Sequence, residues 1–347
     1  MAARLTTFSR LLITLAILAG VYFLATKFII PRFGNPGNTE VTATNGNNSG
    51  TADPSANPVV GGGSNSGASS SSWGKGSGSY TPTPFNFTPT APSGGKLKGV
   101  VELGAQGFNS FIIQVDAQKN WSLKRAEYGA SLVYESLATD DDVKAGLKRY
   151  IADMLSFGVS PKEIHFVISS GAKKVPVTEK ISAELKRMGY FVNEVTPEQE
   201  GRLALKAAMP QAFSGTSFVV DIGSGNTKIS WLPSAALEAP GAKYFQNNTP
   251  DQQVYDDVFG KAKQVPGNLR NTCFIIGGVP YDLAKTHRNG KERYTVLKAP
   301  ADYNAGDNKK TASGLNILRA VADATGCRQF VFDWDANFTI GFLLNLP

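Results

Sequence analysis

The sequence predicts an α/β fold of two lobes, preceded by an apolar segment and a low-complexity linker. Three observations predict it. After residue 95, segments with apolar residues at helical spacing alternate with short β-branched runs. Two of these runs end in an acidic residue and a glycine-containing turn before a second strand. The length of this part, about 250 residues, suits one compact unit with mixed sheets.

The most informative stretch is the strand–turn–strand unit FVVDIGSGNTKISW at residues 218–231. An apolar, β-branched run ends in Asp221, and a turn with two glycines follows. Such turns bring several backbone N–H groups close to a ligand and bind phosphate, and a carboxylate at the strand end can hold a cation beside it. A tight hairpin whose Gly and Asn supply only positive φ is the alternative.

A related unit, KGVVELGAQGFNSFIIQVD, lies at residues 98–116. It is again a strand, an acidic residue (Glu102), a glycine-containing turn and a second strand. Two such units in one chain favour phosphate binding over a plain hairpin.

A helix is predicted to begin between these two units. Thr196 is a good N-cap, Pro197 fits the first helical position, and Gln199 completes a capping box. Glu200 lies in the first turn, where an acidic residue ordinarily complements the helix dipole.

Taken together, these segments resemble the exopolyphosphatase/guanosine pentaphosphate phosphohydrolase (Ppx/GppA) family of the actin-like ATPase clan. The family's second loop, Asp-x-Gly-Gly-Gly-Ser-Thr, is matched at residues 221–227, and its helix start, Glu-Glu-Ala-Arg-Leu, at residues 199–203. Its middle segment, Thr-Ser-Ala-x-Arg, is matched loosely at residues 169–173, and its later Gly-Gly turn at residues 277–278. The resemblance runs in the family's order from about residue 98 to the end of the sequence.

The resemblance implies a two-lobed actin-like ATPase (ribonuclease H-like) fold with mixed sheets. It also implies hydrolysis of the terminal phosphate of a phosphoanhydride chain, such as polyphosphate or guanosine pentaphosphate. Glu200 has the position of the family's base, which deprotonates the attacking water, and Glu102 and Asp221 have the positions that hold a divalent cation, Mg²⁺ or Mn²⁺. The implied phosphate-binding residues are Gly104, Asn109, Ser110, Ser170, Lys173, Gly223, Ser224, Gly225, Asn226 and Thr227. The implied supporting residues are Arg202, Gly277 and Gly278.

The first loop departs from the family's pattern, Asp-x-Gly-Ser-Asn-Ser-Phe. Glu102 replaces the aspartate, and residues 106–108 separate the Gly-Ala pair from Asn109, which predicts a longer loop. The added methylene moves the carboxylate by roughly an ångström, a displacement that active sites penalise. Two other functions therefore stay open beside the hydrolase. One is a catalytically weak sensor or scaffold that binds a phosphate chain or nucleotide at the membrane; the other is an apyrase-like surface nucleotide hydrolase.

Residues 11–30 form an apolar run that is long enough to cross a bilayer, since its twenty residues reach roughly 30 Å as a helix. A cleaved signal peptide is the alternative, and the length of the run favours an uncleaved anchor. After Arg32 no basic residue occurs until Lys75. This charge distribution favours an N-terminus inside and a periplasmic or extracellular domain, while the cytoplasmic side stays open.

Composition sets the remaining boundaries. We expect an anchor at residues 1–32 and a disordered Gly/Ser/Asn/Pro-rich linker at residues 33–95. The exopolyphosphatase-like domain follows at residues 96–347, with lobe one at about 96–220 and lobe two at about 221–347. The formal net charge of +7 is compatible with an anionic substrate, and we expect no nucleic acid partner. The sequence does not define the oligomeric state.

Periodicity and breaker residues predict further elements in the domain. Helices are expected at residues 140–157, 179–188 and 314–325, and strands at 164–168 and 190–195. Cys273 and Cys327 lie in apolar surroundings, which is typical of buried free thiols. A disulfide between them is the alternative, which their spacing does not decide.

Overall fold

The computed structural model describes residues 80–104, 107–128, 140–174, 176–233 and 235–347. The predicted anchor and most of the predicted linker lie outside these ranges. Within them, no helix has the length and apolar character needed to cross a membrane.

The described residues form eleven strands and seven α-helices. The strands are β1 (Lys96–Gly104), β2 (Gly107–Val115), β3 (Trp121–Tyr128), β4 (Ile164–Ile168), β5 (Val192–Glu194), β6 (Ser217–Ile222), β7 (Asn226–Trp231), β8 (Ala235–Pro240), β9 (Thr272–Gly277), β10 (Tyr294–Val296) and β11 (Phe330–Asp333). The helices are α1 (Asp140–Phe157), α2 (Pro176–Arg187), α3 (Pro197–Ala208), α4 (Asp251–Ala262), α5 (Gly278–Lys285), α6 (Lys309–Thr325) and α7 (Phe338–Asn345).

The two sheets share one plan. The first has the strand order β3-β2-β1-β4-β5, and the second has the order β10-β11-β9-β6-β7-β8. In each sheet an antiparallel three-stranded meander is extended by parallel strands beside its first strand. The predicted α/β class with mixed sheets is therefore confirmed. The shared plan also gives the glycine turn of each meander an equivalent place in its sheet.

Three groups of buried apolar side chains form the core. One fills the first lobe beside α1 and α2, a second fills the other lobe beside α4 and α6, and the third joins the two sheets around α3 and α7. At Gly341 of α7, a Cβ would lie 1.9 Å from the carbonyl oxygen of Leu203 in α3. Glycine is therefore required where these helices cross. Because α7 also packs on β1, the last helix returns to the first lobe.

Local sequence signals located several elements well. α1 and β4 have the predicted bounds, and the capping box of α3 forms, with hydrogen bonds of 2.8 and 3.2 Å between Thr196 and Gln199. α2 begins at Pro176, earlier than predicted. α6 begins at Lys309 rather than at residue 314, because the Asn308 side chain accepts a hydrogen bond from the backbone of its first turn.

The prediction of a disordered linker is wrong for residues 80–95, which pack on the folded domain. The ring of Phe85 lies 5.2 Å from that of Phe213 and 5.6 Å from that of Phe274, measured between centroids. Gln329 Nε2 donates hydrogen bonds of 3.1 and 3.0 Å to the backbone carbonyls of residues 83 and 84. Composition did not predict this packing, because a few aromatic side chains are enough to hold a segment that has no hydrophobic core of its own against the folded domain.

Cys273 and Cys327 are both buried and free, as predicted. Burial raises the pKa of the Cys327 thiol to about 11. Burial and the neighbouring Cys327 raise the pKa of Cys273 well above its ordinary value. Both side chains therefore stay protonated at neutral pH and act as apolar packing groups.

Candidate functional site

A cavity of about 500 Å³ opens where the glycine turns of the two lobes meet. Its walls come from both sheets, from the first turn of α3 and from the start of α5. The sequence-predicted residues that line it are Glu102, Gly104, Asn109, Glu200, Asp221, Gly223, Ser224, Gly225, Asn226, Gly277 and Gly278. The fold thus brings the two hairpins and the capped helix together at one place.

The turn between β6 and β7 has backbone N–H groups available to this cavity. The carbonyl oxygens of residues 223–225 accept hydrogen bonds of 2.9 to 3.3 Å from the N–H groups of residues 241–243. The N–H groups of Ser224 and Gly225, which line the cavity, have no hydrogen-bond partner in the part of the chain that the structure describes. The Gly223 N–H, by contrast, donates a hydrogen bond of 3.0 Å to Asn226 O. A turn with bound carbonyls and two adjacent unpartnered N–H groups has the form of an anion-binding nest.

The turn between β1 and β2 is shorter than the sequence suggested. The two strands stay paired up to Gly104 and Gly107, so residues 107 and 108 extend the ladder and two residues separate the strands. Phe108 alternates into the core of the first lobe and is fully buried there. Two of the three additional residues of the first hairpin thus lie in the paired strand β2.

Glu102 is a buried carboxyl group held by two amides. Its Oε2 accepts hydrogen bonds from Asn109 Nδ2 at 3.0 Å and from Asn337 Nδ2 at 3.1 Å. Burial raises the pKa of Glu102 to about 7; the two amides oppose this rise, and the carboxylates of Glu200 and Asp221 add to it. Near neutral pH, Glu102 is therefore about half protonated.

Glu200 is fixed in the first turn of α3, with only 1% of the residue exposed. Its Oε1 accepts a hydrogen bond of 2.6 Å from the backbone N–H of Ser170. Gly201 allows this burial, since a Cβ there would lie 2.6 Å from Ser230 Oγ on β7. The close approach of α3 to β7 places the Glu200 carboxylate beside the side chains that β7 presents to the cavity.

Lys228 is a site residue that the motif comparison missed. It is 6% exposed, and its Nζ lies 2.6 Å from Glu200 Oε2 and 3.5 Å from Asp221 Oδ2. Burial acts to lower the pKa of Lys228, but the two carboxylates raise it above its ordinary value, so the side chain is a cation. The sequence signal that could have identified Lys228 is the pairing of the two hairpin strands, because the turn makes Asp221 and Lys228 direct cross-strand neighbours.

These carboxyl groups do not fit the divalent cation that the family resemblance implied. Glu102 is bound by two amides and half protonated near pH 7, while Glu200 and Asp221 share the Lys228 ammonium. A metal between these two carboxylates meets a fixed positive charge. Within the described ranges, no group of three or more His, Cys, Asp or Glu side chains is arranged to hold a metal ion.

Five predicted site residues are not among those that line the cavity: Ser110, Ser170, Lys173, Arg202 and Thr227. Ser110 is buried opposite Val101 in the first hairpin. Ser170 contacts two residues that line the cavity. Its N–H donates a hydrogen bond to Glu200, and its Oγ accepts one of 3.3 Å from Asn226 Nδ2. Its neighbours Ser169 and Gly171 line the cavity instead.

The other three are engaged elsewhere. The hydroxyl of Thr227 donates a hydrogen bond of 2.9 Å to a carbonyl of β8, and the residue is fully buried. Lys173 forms an ion pair of 3.1 Å with Glu194. Arg202 forms one of 2.7 Å with Glu198, one turn earlier in α3, so it does not bridge the lobes through this contact.

Gly277 and Gly278 join β9 to α5 at the edge of the cavity. Gly277 has a φ of 111°, and a Cβ there would lie 2.2 Å from the carbonyl oxygen of Ile222. Only glycine fits both the backbone conformation and the close approach to β6. The predicted supporting role of Gly277 thus has a steric basis.

Aromatic side chains also line the cavity. Tyr128, Tyr281 and Trp334 line it, and the rings of the last two lie 5.3 Å apart in an edge-to-face arrangement. Nearby, Arg293 holds the buried Asp333 with an ion pair of 3.0 Å. Burial raises the pKa of Asp333 to about 6, although Arg293 opposes the rise. The cavity thus has both polar glycine turns and aromatic rings in its lining.

Two sheets of one plan, with glycine turns that meet at a shared cavity, define the fold of the actin-like ATPases. Among solved structures, the Ppx/GppA phosphatases have this fold. The Aquifex aeolicus PPX-GPPA enzyme is 18% identical and superposes with a TM-score of 0.57 over 72% of this chain and 99% of its own. An exopolyphosphatase from Cytophaga hutchinsonii is 12% identical, with a TM-score of 0.56 over 72% of this chain and 96% of its own.

Sequence comparison adds nothing to this likeness: no family model matches the chain, and no curated protein does. At these identities the superpositions show a common fold. Any shared activity has to be argued from the site itself.

Proposed function

We propose that the cavity binds a phosphoanhydride chain. The observation that carries this proposal is the β6–β7 turn, in which Ser224 and Gly225 line the cavity and have N–H groups without a partner in the described part of the chain. Adjacent unpartnered N–H groups of a glycine-containing turn are suited to phosphate oxygens. The Ppx/GppA fold supports the same ligand class, because its solved members are exopolyphosphatases and related phosphatases.

Hydrolysis of the terminal phosphate is the second candidate, and Glu200 is the observation that favours it. The carboxylate lines the cavity in the first turn of α3, as the family resemblance predicted for the base. In this reaction a water oxygen attacks the terminal phosphorus, the bridging P–O bond breaks, and the proton of the water passes to Glu200. Both oxygens of Glu200 are already engaged, one by Lys228 and the other by the Ser170 N–H. We therefore propose binding first and slow hydrolysis second.

The site belongs, in this proposal, to a membrane protein. Residues 11–30 anchor the chain, and the low-complexity residues that follow tether the domain on the periplasmic or extracellular side. Protease accessibility of the domain in intact cells tests this placement. Protection of the domain there would show that it faces the cytoplasm.

Calorimetric titration of the full-length protein in mild detergent with tripolyphosphate tests the binding proposal. Gly225→Val is the informative variant, because a Cβ at Gly225 has open space around it and the added methyl groups cover the nest. Gly215→Val is the matched control, since Gly215 is exposed, has open space and does not line the cavity.

We expect the Gly225→Val variant to bind tripolyphosphate at least about tenfold more weakly than the parent, and Gly215→Val to bind like the parent. Gly223 is a poorer choice, because a Cβ there would lie 2.8 Å from Asn226 O and would distort the turn. Equal affinity of parent and Gly225→Val would remove the turn from the binding site.

A further inference from the structure

We propose that the Lys228 side chain is the resident counter-cation of the cleft and takes the place of a divalent metal between Glu200 and Asp221. This proposal rests on the proposed binding function only for the identity of the ligand, a phosphoanhydride chain. Its consequence is that the cleft binds a phosphoanhydride anion without Mg²⁺ or Mn²⁺.

The position of Lys228 is built into the fold. The β6–β7 hairpin pairs Asp221 directly with Lys228, and the register is continuous from Val219 to Thr227. Because side chains alternate along a strand, Lys228 lies on the same face of β7 as Asn226, and both residues line the cavity. The ammonium therefore reaches the carboxylates by strand register and does not depend on a flexible loop.

The second constraint comes from α3. Gly201 allows the helix to touch β7, since a Cβ there would lie 2.6 Å from Ser230 Oγ and 3.4 Å from Lys228 Cβ. This contact brings Glu200 within 2.6 Å of Lys228 Nζ. Ser170 holds the other carboxylate oxygen with its backbone N–H. The carboxylate is thus oriented toward Lys228 from both sides.

Two carboxylates contact this ammonium, Glu200 from α3 and Asp221 from β6. Glu238 of β8 is the direct cross-strand neighbour of Lys228, and its Oε1 accepts a hydrogen bond of 2.8 Å from Asn226 Nδ2. Glu102 of β1 lines the same cavity. The single ammonium balances one of the two carboxylate charges, whereas a divalent cation would balance both. A hard divalent cation needs carboxylate oxygens as ligands at 2.0 to 2.6 Å. Here those oxygens hold a buried lysine.

A divalent metal would both offset charge near the anion and activate a water. Lys228 supplies only the first of these two effects. The unpartnered N–H groups of the β6–β7 turn favour an anion in the cavity, and Lys228 offsets one of the two carboxylate charges that would repel it. Glu200, the candidate base, already accepts hydrogen bonds from Lys228 at one carboxylate oxygen and from Ser170 at the other. Lys228 is therefore a positioning residue for anion binding, and its effect on hydrolysis is to slow it.

The experiment measures divalent-cation binding and anion binding separately, in the full-length protein. Mn²⁺ binding is followed by electron paramagnetic resonance of free Mn²⁺, and tripolyphosphate binding by calorimetry in EDTA and in Mg²⁺. The variants are Lys228→Gln, which removes the charge, and Lys228→Arg, which keeps it. Circular dichroism and thermal unfolding establish that each variant is folded.

We expect the parent and Lys228→Arg to show no Mn²⁺ binding that depends on Asp221, and to bind tripolyphosphate equally in EDTA and in Mg²⁺. Lys228→Gln should bind Mn²⁺ at least about tenfold more tightly than the parent and should need Mg²⁺ to bind tripolyphosphate. If Lys228→Gln does not fold, the parent decides alone, because it must bind the anion in EDTA.

Mn²⁺ binding by the parent that Asp221→Asn abolishes would overturn the proposal, as would parent affinity for tripolyphosphate that appears only with Mg²⁺. If the parent binds no phosphate chain in either buffer, the proposed function fails instead. The Mn²⁺ comparison between parent and Lys228→Gln then still decides the role of Lys228.

Discussion

Asn337 Nδ2 donates a hydrogen bond of 3.1 Å to Glu102 Oε2, across 235 positions of sequence. The same Asn337 side chain accepts a hydrogen bond of 2.8 Å from the Thr339 N–H and so caps α7. One amide thus fixes both the start of the last helix and the carboxyl group of the first hairpin. The contact ties the cavity wall of lobe one to the helix that packs between the lobes.

The double role of Asn337 gives the first prediction. Asn337→Ala removes the cap and one of the two amides on Glu102, and we expect the free energy of unfolding to fall by about 1–2 kcal/mol. Asn337→Ser retains a capping oxygen and should recover roughly half of that loss. Urea denaturation of the three proteins measures both values. Equal stability of the Ala and Ser variants would show that the cap contributes nothing.

The pKa of Glu102 gives a prediction for pH. Because burial raises this pKa from 4.5 to about 7, the fold favours the protonated form. The stability that Glu102 contributes is fully present below pH 4.5 and is lost as pH rises through about 7. Glu102→Gln keeps the protonated shape at every pH. Its stability relative to the parent should therefore grow across this window, to about 3 kcal/mol at about 1.4 kcal/mol per pH unit.

Unfolding free energies of parent and Glu102→Gln between pH 4 and pH 8 check this prediction. The comparison cancels the titration of other groups, since both proteins share them. A constant difference between the two proteins across the range would show that Glu102 titrates at its ordinary value.

The Glu200 carboxylate gives the prediction that separates the two candidate functions. If the protein hydrolyses a phosphoanhydride, Glu200→Gln should lower turnover by about 10²–10⁴-fold and leave affinity for tripolyphosphate nearly unchanged. Glu198→Gln is the matched control, because Glu198 lies in the same helical turn but is exposed and pairs with Arg202.

Phosphate release from polyphosphate, nucleoside triphosphates and guanosine pentaphosphate, with Mg²⁺ or Mn²⁺ present, measures this turnover. A parent protein that releases no phosphate from any of them would reject hydrolysis and leave binding as the function. A Glu200→Gln variant as active as the parent would place the base elsewhere.

The segment ahead of the first strand gives a prediction of stability. Phe85 packs against Phe213 and Phe274, so Phe85→Ala should lower the free energy of unfolding by about 2 kcal/mol. Phe191 is 83% exposed, and Phe191→Ala should change it by less than about 0.5 kcal/mol. Thermal and urea unfolding of both variants measure the difference. Equal effects of the two substitutions would show that residues 80–95 do not pack on the domain.

What the sequence could predict was local. The capping box at Thr196, the α1 helix and the β4 strand depend on neighbouring residues, and each lies where the sequence placed it. The positions of Glu200 and Asp221 in one cavity came from the family resemblance. The spacing of the first loop gave no sign that residues 107 and 108 continue a strand ladder, because strand register depends on the partner strand.

The remaining site residues depend on contacts that no local pattern contains. Asn337 reaches Glu102 because α7 returns to the first lobe after both sheets are complete. Lys228 meets Glu200 because α3 touches β7, a tertiary contact that one glycine permits. Only the Lys228–Asp221 pairing could be obtained from the hairpin itself.

That glycine, Gly201, gives the last prediction. In Gly201→Ala, the new Cβ would lie 2.6 Å from Ser230 Oγ and 2.9 Å from Ala236 Cβ, so α3 must move away from β7. Alanine has the higher helix propensity by about 1 kcal/mol, yet overpacking costs about 1–3 kcal/mol, and we expect net destabilisation. Gly260→Ala in α4 is the control, because its Cβ meets open space and should stabilise the protein by up to about 1 kcal/mol. Urea unfolding of the two variants should therefore give opposite signs. If Gly201→Ala stabilises the protein as much as Gly260→Ala, then α3 and β7 are not in contact, and the Lys228–Glu200 ion pair loses its structural basis.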